Sequence, residues 1–147
     1  MKQQICILGS TGSIGTQALE VIRQHPDRYE AYALTANNHW ELLAQQAREF
    51  HPAAVVIANE AHYEALKEAL RDEPDTKVYA GRDAVCQIVE AGPITMVLTA
   101  MVGFSGLTPT IRAIRARKTI CLANKETLVV AGELICQLAE AYRVPIL

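Results

Sequence analysis

The sequence has no long apolar run and little net charge. No stretch approaches the ~18 consecutive apolar residues of a membrane-spanning helix, so we expect no membrane partner. The formal net charge of the 147 residues is −2, which gives no general attraction to nucleic acid. A basic cluster is predicted to complement a helix C-terminus instead; it comprises Arg112, Arg115, Arg117 and Lys118. The N-terminus lacks a secretory pattern, so we expect a cytoplasmic location.

Cysteines are few and widely separated, and no two form a CxxC pair. They are Cys6, Cys86, Cys121 and Cys136. Cys6 and Cys121 fall in apolar, strand-like runs, which favours buried free thiols over metal ligands or disulfides. The four histidines are scattered, and no two have the spacing of metal ligands on a helix. The sequence therefore predicts no metal site within this chain.

Short apolar runs alternate with amphipathic segments along the whole chain. This pattern predicts strands at 5–8, 29–35, 54–57, 77–79, 95–99 and 119–122, and helices at 13–24, 39–50, 61–71, 82–90, 107–116 and 125–142. A further strand is predicted to begin at 144–147. Because an intact protein rarely ends within a strand, we expect a truncated chain.

The alternation of strands and helices predicts the fold class. Such a pattern forms a mostly parallel sheet, and continuous apolar strands indicate that helices cover both faces. The predicted fold is a doubly wound, Rossmann-like α/β domain spanning residues 1–147.

The strongest motif is a glycine-rich turn that follows the first strand and opens the first helix. It reads GSTGSIG, from Gly9 to Gly15. Gly9 would allow a tight turn, Gly12 the close approach of a pyrophosphate, and Gly15 close packing of the helix against the sheet. The helix N-terminus and the hydroxyls of Thr11 and Ser13 can bind phosphates. The spacing is GxxGxxG rather than GxGxxG, so a plain strand-to-helix turn is the alternative.

The end of the second strand lacks the acid that usually binds the ribose hydroxyls of NAD. The segment reads LTANNH, residues 34–39. A carboxylate would repel the 2′-phosphate of NADP, whereas Asn37, Asn38 and a helix that begins near His39 can hold it. The pattern favours NADP, although the Arg or Lys that usually accompanies a 2′-phosphate is missing. Asparagines that only cap the next helix are the alternative.

Two later strands end in segments that suit a ligand. One runs into AMVGFSG, where Ala100 and Gly103 are small enough for a nicotinamide ring to lie against the backbone. A loop that needs glycine for its turn is the alternative. The next strand runs into ANKE, where Asn124 and Glu126 suit a helix start. Lys125 opposes the helix dipole, so its charge indicates an anionic ligand, with a solvated lysine as the alternative.

Three segments together resemble one enzyme family. They are GSTGSIG at the first turn, AMVGFSGLTPTIRAIRARKT in the middle and LANKETLVVAG at the second site, where the last helix begins. They are similar to the N-terminal NADPH-binding domain of 1-deoxy-D-xylulose 5-phosphate reductoisomerases. The resemblance covers essentially the whole chain, and LANKE followed by Ser or Thr is far more specific than the glycine loop.

The resemblance implies a role for each motif. The implied cofactor-binding residues are Thr11, Gly12, Ser13, Ile14, Asn37, Asn38, His39, Asn124 and Glu126. Lys125 would reach the substrate. At residues 36–39 the family usually reads AGKN, whereas this sequence reads ANNH. The sequence therefore departs from the family pattern where the 2′-phosphate would bind.

The resemblance also implies the activity of a whole enzyme. It would convert 1-deoxy-D-xylulose 5-phosphate to 2-C-methyl-D-erythritol 4-phosphate on the non-mevalonate route to isoprenoid precursors. NADPH would be the reductant, and a divalent metal (Mg, Mn or Co) would act as a Lewis acid. The metal ligands and a C-terminal helical domain would lie beyond Leu147, and full-length members would form homodimers. The chain alone would bind NADPH weakly, without turnover.

Two other functions fit the glycine loop. An NADP-dependent semialdehyde dehydrogenase can share this turn, but it would need a nucleophilic cysteine in a later domain. Cys121 and Cys136 fall in strand and helix patterns that predict burial. A non-catalytic nucleotide-binding sensor would use the same loop and would need no Lys125.

Overall fold

The computed structural model describes residues 2–101, 106–122 and 125–147, with the backbone alone for 125–133. The strands are β1 (Gln3–Leu8), β2 (Tyr29–Ala36), β3 (Ala54–Ile57), β4 (Lys77–Ala80), β5 (Met96–Thr99) and β6 (Thr119–Leu122). The helices are α1 (Ser13–Gln24), α2 (Trp40–Phe50), α3 (Tyr63–Ala69), α4 (Arg82–Ile88), α5 (Leu107–Arg115) and α6 (Lys125–Tyr142). A 3-10 helix, Glu60–His62, precedes α3.

The strands form one sheet in the order β4-β3-β2-β1-β5-β6, and each described pair is parallel. The chain builds outward from β1 to β4 and then returns to the other side of β1. This reversal creates a switch point between β1 and β5, where open α/β sheets bind ligands at the carboxyl ends of their strands. The predicted doubly wound fold is confirmed.

Helices cover both faces of the sheet, as the continuous apolar strands predict. Ile5 and Ile7 of β1 are buried in one core cluster with side chains of α1, α2 and α3. Cys6 and Leu8 are buried in the other cluster, with side chains of α4, α5 and α6. Successive strand residues point to opposite faces, so each strand contributes to two cores.

The end of the chain differs from the prediction of a strand. Within 144–147, one parallel bridge joins Ile146 to Ile120 of β6. The Leu147 N–H donates to the Ile120 carbonyl at 2.7 Å, and the Ile120 N–H donates to the Pro145 carbonyl at 3.0 Å. Pro145 has no N–H to donate. The segment therefore pairs with β6 only through this short bridge and does not form a seventh strand.

The helix predicted over 61–71 is shorter than expected. It begins with the 3-10 turn and its α-helical part ends at Ala69. The Asn59 side chain accepts a hydrogen bond from the Ala61 N–H at 3.0 Å and so starts the 3-10 turn. Side-chain capping of this kind favours a local turn over a regular first helical turn.

Cysteine burial is only partly as predicted. Cys6 is buried, Cys86 and Cys121 are partly buried, and Cys136 is exposed. The prediction that Cys136 is buried is wrong because the core face of α6 carries Ile135 and Ala139 instead. In the described part of the chain, no helix is both long and apolar enough to cross a membrane.

Candidate functional site

A cleft of about 540 Å³ lies over the switch point, at the carboxyl ends of the central strands. Its walls are the loop after β1, the end of β2 and the first turns of α4 and α5. The lining includes Gly9, Thr11, Gly12, Asn37, Arg82 and Ala100. The fold thus brings the predicted phosphate loop and the end of β5 to one ligand-sized space.

The three glycines of the loop differ in the space around them. Gly9 has φ +90°, and a Cβ there would lie 2.9 Å from the Ala100 carbonyl oxygen. A Cβ on Gly15 would overlap the Gly9 carbonyl oxygen and lie 2.6 Å from Ser10 Cα. The atoms that leave no room for a side chain at Gly15 therefore belong to the backbone of the turn, Gly9 and Ser10. Gly12 is open, since its nearest neighbour would be 3.8 Å away.

Buried hydrogen bonds anchor this loop to the domain. Ser10 Oγ donates to Gln46 Oε1 at 2.7 Å, and Gln46 Nε2 donates to the Ser10 carbonyl at 2.9 Å. The Gly9 and Ser10 N–H groups donate to the Thr35 carbonyl at 3.1 and 2.8 Å. Ser10, Thr35 and Gln46 are all buried. The loop is thereby fixed to both β2 and α2, an arrangement absent from the sequence prediction.

Replacing Gln46 by leucine should weaken the loop without changing its glycines. The Ser10 carbonyl would lose its side-chain donor, and the Ser10 hydroxyl would keep only its 3.4 Å contact with the Thr35 carbonyl. Leaving a buried polar group unpaired costs about 1–3 kcal/mol. We expect a lower free energy of unfolding by that amount, measured by urea denaturation. Gln45→Leu is the matched control, because Gln45 is the exposed neighbour in α2. Equal midpoints for the two variants would contradict the anchoring role of Gln46.

The predicted phosphate-binding residues lie around the start of α1. Thr11 and Gly12 line the cleft, and Ser13 begins the helix. Among the described residues no side chain caps α1, so its first N–H groups remain available to a ligand. The Ile14 side chain lies in a separate apolar groove beside Cys121. Phosphate binding by these four residues stays a prediction.

The residues after β2 separate into two groups. Asn37 lines the cleft, and both Asn37 and Asn38 line an adjoining cavity of about 690 Å³. Asn59 Nδ2 donates to Asn38 Oδ1 at 2.7 Å, which orients that amide. His39 is the exposed N-cap of α2, so the helix begins at Trp40 and not at His39. Its side chain makes no capping hydrogen bond and lines neither cavity.

Most predicted residues of the second site lie outside the described part. Asn124 and Gly103 are outside it, as are the side chains of Lys125 and Glu126. The backbone places Lys125 and Glu126 as the first two residues of α6. Their roles toward nicotinamide and substrate stay predictions.

Burial raises the pKa values of three cysteine thiols, those of Cys6, Cys86 and Cys121. Cys86 lines the cleft, and burial raises the pKa of its thiol despite the opposing charge of Arg112. Burial likewise raises the pKa of the Cys121 thiol, and that of Cys6 to about 12. A reactive cysteine needs a lowered pKa. These thiols therefore give no support to a semialdehyde dehydrogenase.

No metal centre is apparent in the described ranges, where no three His, Cys, Asp or Glu residues are grouped to hold an ion. The predicted ligands beyond Leu147 stay a prediction.

The basic cluster agrees with the expectation only in part. Arg112 and Arg115 lie in the last turn of α5, as predicted. Lys118 is buried and bonds to three carbonyls, and Arg112 pairs with Glu90, so these two side chains serve packing.

Comparison with known proteins decides the family. The family model described as 1-deoxy-D-xylulose 5-phosphate reductoisomerase matches residues 5–132. The chain belongs to this family. The reductoisomerase of Bacteroides thetaiotaomicron is 75% identical over 146 residues, which is 99% of this chain and 37% of that protein. That of Phocaeicola vulgatus is 68% identical over 147 residues, 100% of this chain and 38% of that protein. The chain thus spans just over a third of these relatives.

Solved structures of the family share the fold closely. The Zymomonas mobilis reductoisomerase in complex with NADPH is 37% identical, with a TM-score of 0.94, over 100% of this chain and 38% of that one. A reductoisomerase in complex with NADPH, fosmidomycin and magnesium is 39% identical, with a TM-score of 0.92, over 99% of this chain and 36% of that one. A homoserine dehydrogenase from Thiobacillus denitrificans, 17% identical with a TM-score of 0.60, shares the fold alone. The predicted family is confirmed.

Proposed function

We propose that residues 1–147 form the NADPH-binding domain of a 1-deoxy-D-xylulose 5-phosphate reductoisomerase. The supporting observation is the cleft at the switch point, where Gly12 is open and no side chain of the described ranges caps α1. A helix N-terminus without a cap offers free N–H groups and a partial positive charge to a phosphate. The rigid anchoring of Ser10 holds those donors in place before the ligand arrives.

The cofactor would lie across the carboxyl ends of the strands. Its pyrophosphate would contact the backbone of residues 11–14, and its adenosine end would reach Asn37, Asn38 and His39. The nicotinamide end would lie near Ala100, with Asn124 and Glu126 beside it. NADPH supplies a hydride when bound, and the chain contributes its binding and orientation. Lys125 would bind the anionic substrate.

The activity of the longer protein follows from the family. We propose that it converts 1-deoxy-D-xylulose 5-phosphate to 2-C-methyl-D-erythritol 4-phosphate with a divalent metal. Three solved structures of the family contain magnesium, one of them with fosmidomycin and another with both NADPH and fosmidomycin. A phosphosugar substrate, a homodimeric assembly and a cytoplasmic location belong to the same proposal.

A fluorescence titration of the chain with NADPH and NADH tests the cofactor site. We expect NADPH to bind at least ~10-fold more tightly, a difference of about 1.4 kcal/mol. Gly12→Ala should weaken both nucleotides by at least ~10-fold, because the methyl group would occupy the space that a pyrophosphate needs. The backbone of Gly12, at φ −79° and ψ 176°, accepts alanine without strain, so the unfolding midpoint should stay unchanged.

The control for this titration is Gln45→Leu, on the exposed side of α2, which should bind both nucleotides like the wild type. Absence of binding by the wild-type chain would contradict a cofactor site in this domain. Unchanged binding by Gly12→Ala would place the pyrophosphate elsewhere.

A further inference from the structure

The cleft and the adjoining cavity share one cationic side chain. Asn37, Ala58, Arg82 and Asp83 line both spaces, so the two are continuous. Among the described residues, Arg82 is the only Arg, Lys or His side chain in either lining. NADPH carries three phosphate groups, and only two of them would lie at the uncapped start of α1. Of the described residues that line the two spaces, Arg82 is therefore the one cation available to the third phosphate group.

Arg82 has no carboxylate partner in the described structure. Its guanidinium forms no ion pair or hydrogen bond there, whereas Arg23, Arg48, Arg71 and Arg112 pair with nearby carboxylates. The side chain is exposed, and Arg82 begins α4 one residue after the end of β4. It is therefore free to bind an anion that enters the cavity.

The sheet order places Arg82 on the adenosine side of the cleft. β4 lies three strands from β1, roughly 14 Å at the usual strand spacing. Asn38 lies on the same side, and because Asn59 donates to its Oδ1, its own N–H groups point to no other partner in the described structure. An amide donor and a guanidinium thus line one space of about 690 Å³, which is large enough to hold a nucleotide ribose with its phosphate.

We propose that Arg82, with the Asn38 amide, binds the 2′-phosphate of NADPH and sets the preference of this domain for NADPH over NADH. The assignment rests on the proposed function, and it supplies the cation that the ANNH segment lacks. Arginine suits the role because its planar fork of donors matches the oxygens of a phosphate.

Two carboxylates line the same cavity and define the competing possibility. Glu60 lies against Gly81, its Oε1 being 2.8 Å from the position of a Cβ on that glycine, and Asp83 follows Arg82. A carboxylate there could instead accept hydrogen bonds from the ribose hydroxyls of NADH. The charge of Arg82 and those of Glu60 and Asp83 therefore act in opposite directions on cofactor choice.

Titration of Arg82 variants of the chain separates these possibilities. Arg82→Gln should weaken NADPH binding by ~10-fold or more, the usual scale for losing a charged hydrogen bond, while NADH binding changes less than ~2-fold. The NADPH affinity of Arg82→Lys should lie between that of Arg82→Gln and that of the wild type. Arg115→Gln is the matched control, because Arg115 is exposed at the far end of α5. In a competition assay, Arg82→Gln should lose affinity for adenosine 2′,5′-bisphosphate but keep its affinity for adenosine 5′-monophosphate. Arg115→Gln should bind both like the wild type.

The outcomes are distinguishable. Equal weakening of NADPH and NADH, or no weakening, overturns the role of Arg82 while leaving the cofactor site intact. A loss of NADH affinity in Glu60→Gln, with Arg82→Gln unchanged, would assign selectivity to the carboxylate. Wild-type protein that binds neither nucleotide would overturn the proposed function itself. Thermal unfolding of each variant verifies that the fold is retained.

Discussion

Gly15→Ala is expected to lower the free energy of unfolding by about 3 kcal/mol or more, the upper range for an overpacked site. Its Cβ would overlap the Gly9 carbonyl oxygen and lie 2.6 and 2.8 Å from two Ser10 backbone atoms. A flexible side chain could move aside, but these atoms are backbone. They are also held by the Thr35 and Gln46 hydrogen bonds. Urea denaturation monitored by circular dichroism measures the effect.

Gly12→Ala is the matched control within the same motif. No atom of the described residues lies closer than 3.8 Å to a Cβ added on Gly12, and its backbone conformation is open to any residue. Its stability should stay within about 0.5 kcal/mol of the wild type. The two variants thus separate packing from ligand binding, since one should lose stability and the other only nucleotide affinity. Similar unfolding midpoints for Gly15→Ala and the wild type would show that α1 can shift away from the turn.

The fold could be predicted because its strands are apolar on both sides. Each of the six strands predicted between residues 5 and 122 overlaps an observed one, since residues such as Ile7 and Leu8 enter opposite cores and leave no polar position between them. Boundaries were less predictable where side chains intervene, as where Asn59 starts a 3-10 turn. The sheet order also had no local signal, because it depends on which faces the helices cover.

The candidate site was predictable only where one segment carries the whole signal. The glycine loop is such a segment, since strand, turn and helix start are contiguous. Gln46 was missed, although a glutamine between Ala44 and Ala47 on a buried helix face is a usable sign of a buried hydrogen bond. Arg82 was missed as well, even though it resembles Lys125 as a cation in the first turn of a helix. Its relation to Asn37 depends on the position of β4 at the sheet edge, which no neighbouring residue indicates.

Lys118 provides the second large expected effect, at the opposite end of the sheet from the cleft. Its side chain is buried, and Nζ donates to the carbonyls of Ala91 and Ile94 at 2.7 Å each and of Gly92 at 3.4 Å. Burial lowers the pKa of this ammonium, and the three carbonyl oxygens compensate for its lost hydration. The lysine thereby ties the turn before β5 to the start of β6.

Lys118→Met should lower the free energy of unfolding by about 2–4 kcal/mol, because three carbonyls lose a charged donor while the aliphatic packing is kept. Lys77→Met, at an exposed position of edge strand β4, should change it by less than about 0.5 kcal/mol. At urea concentrations where Lys118→Met is still folded, its nucleotide affinity should equal that of the wild type, since the residue lines neither cavity. An unfolding midpoint equal to that of Lys77→Met would mean that water replaces the ammonium at the three carbonyls. The turn before β5 would then hold its shape without the lysine.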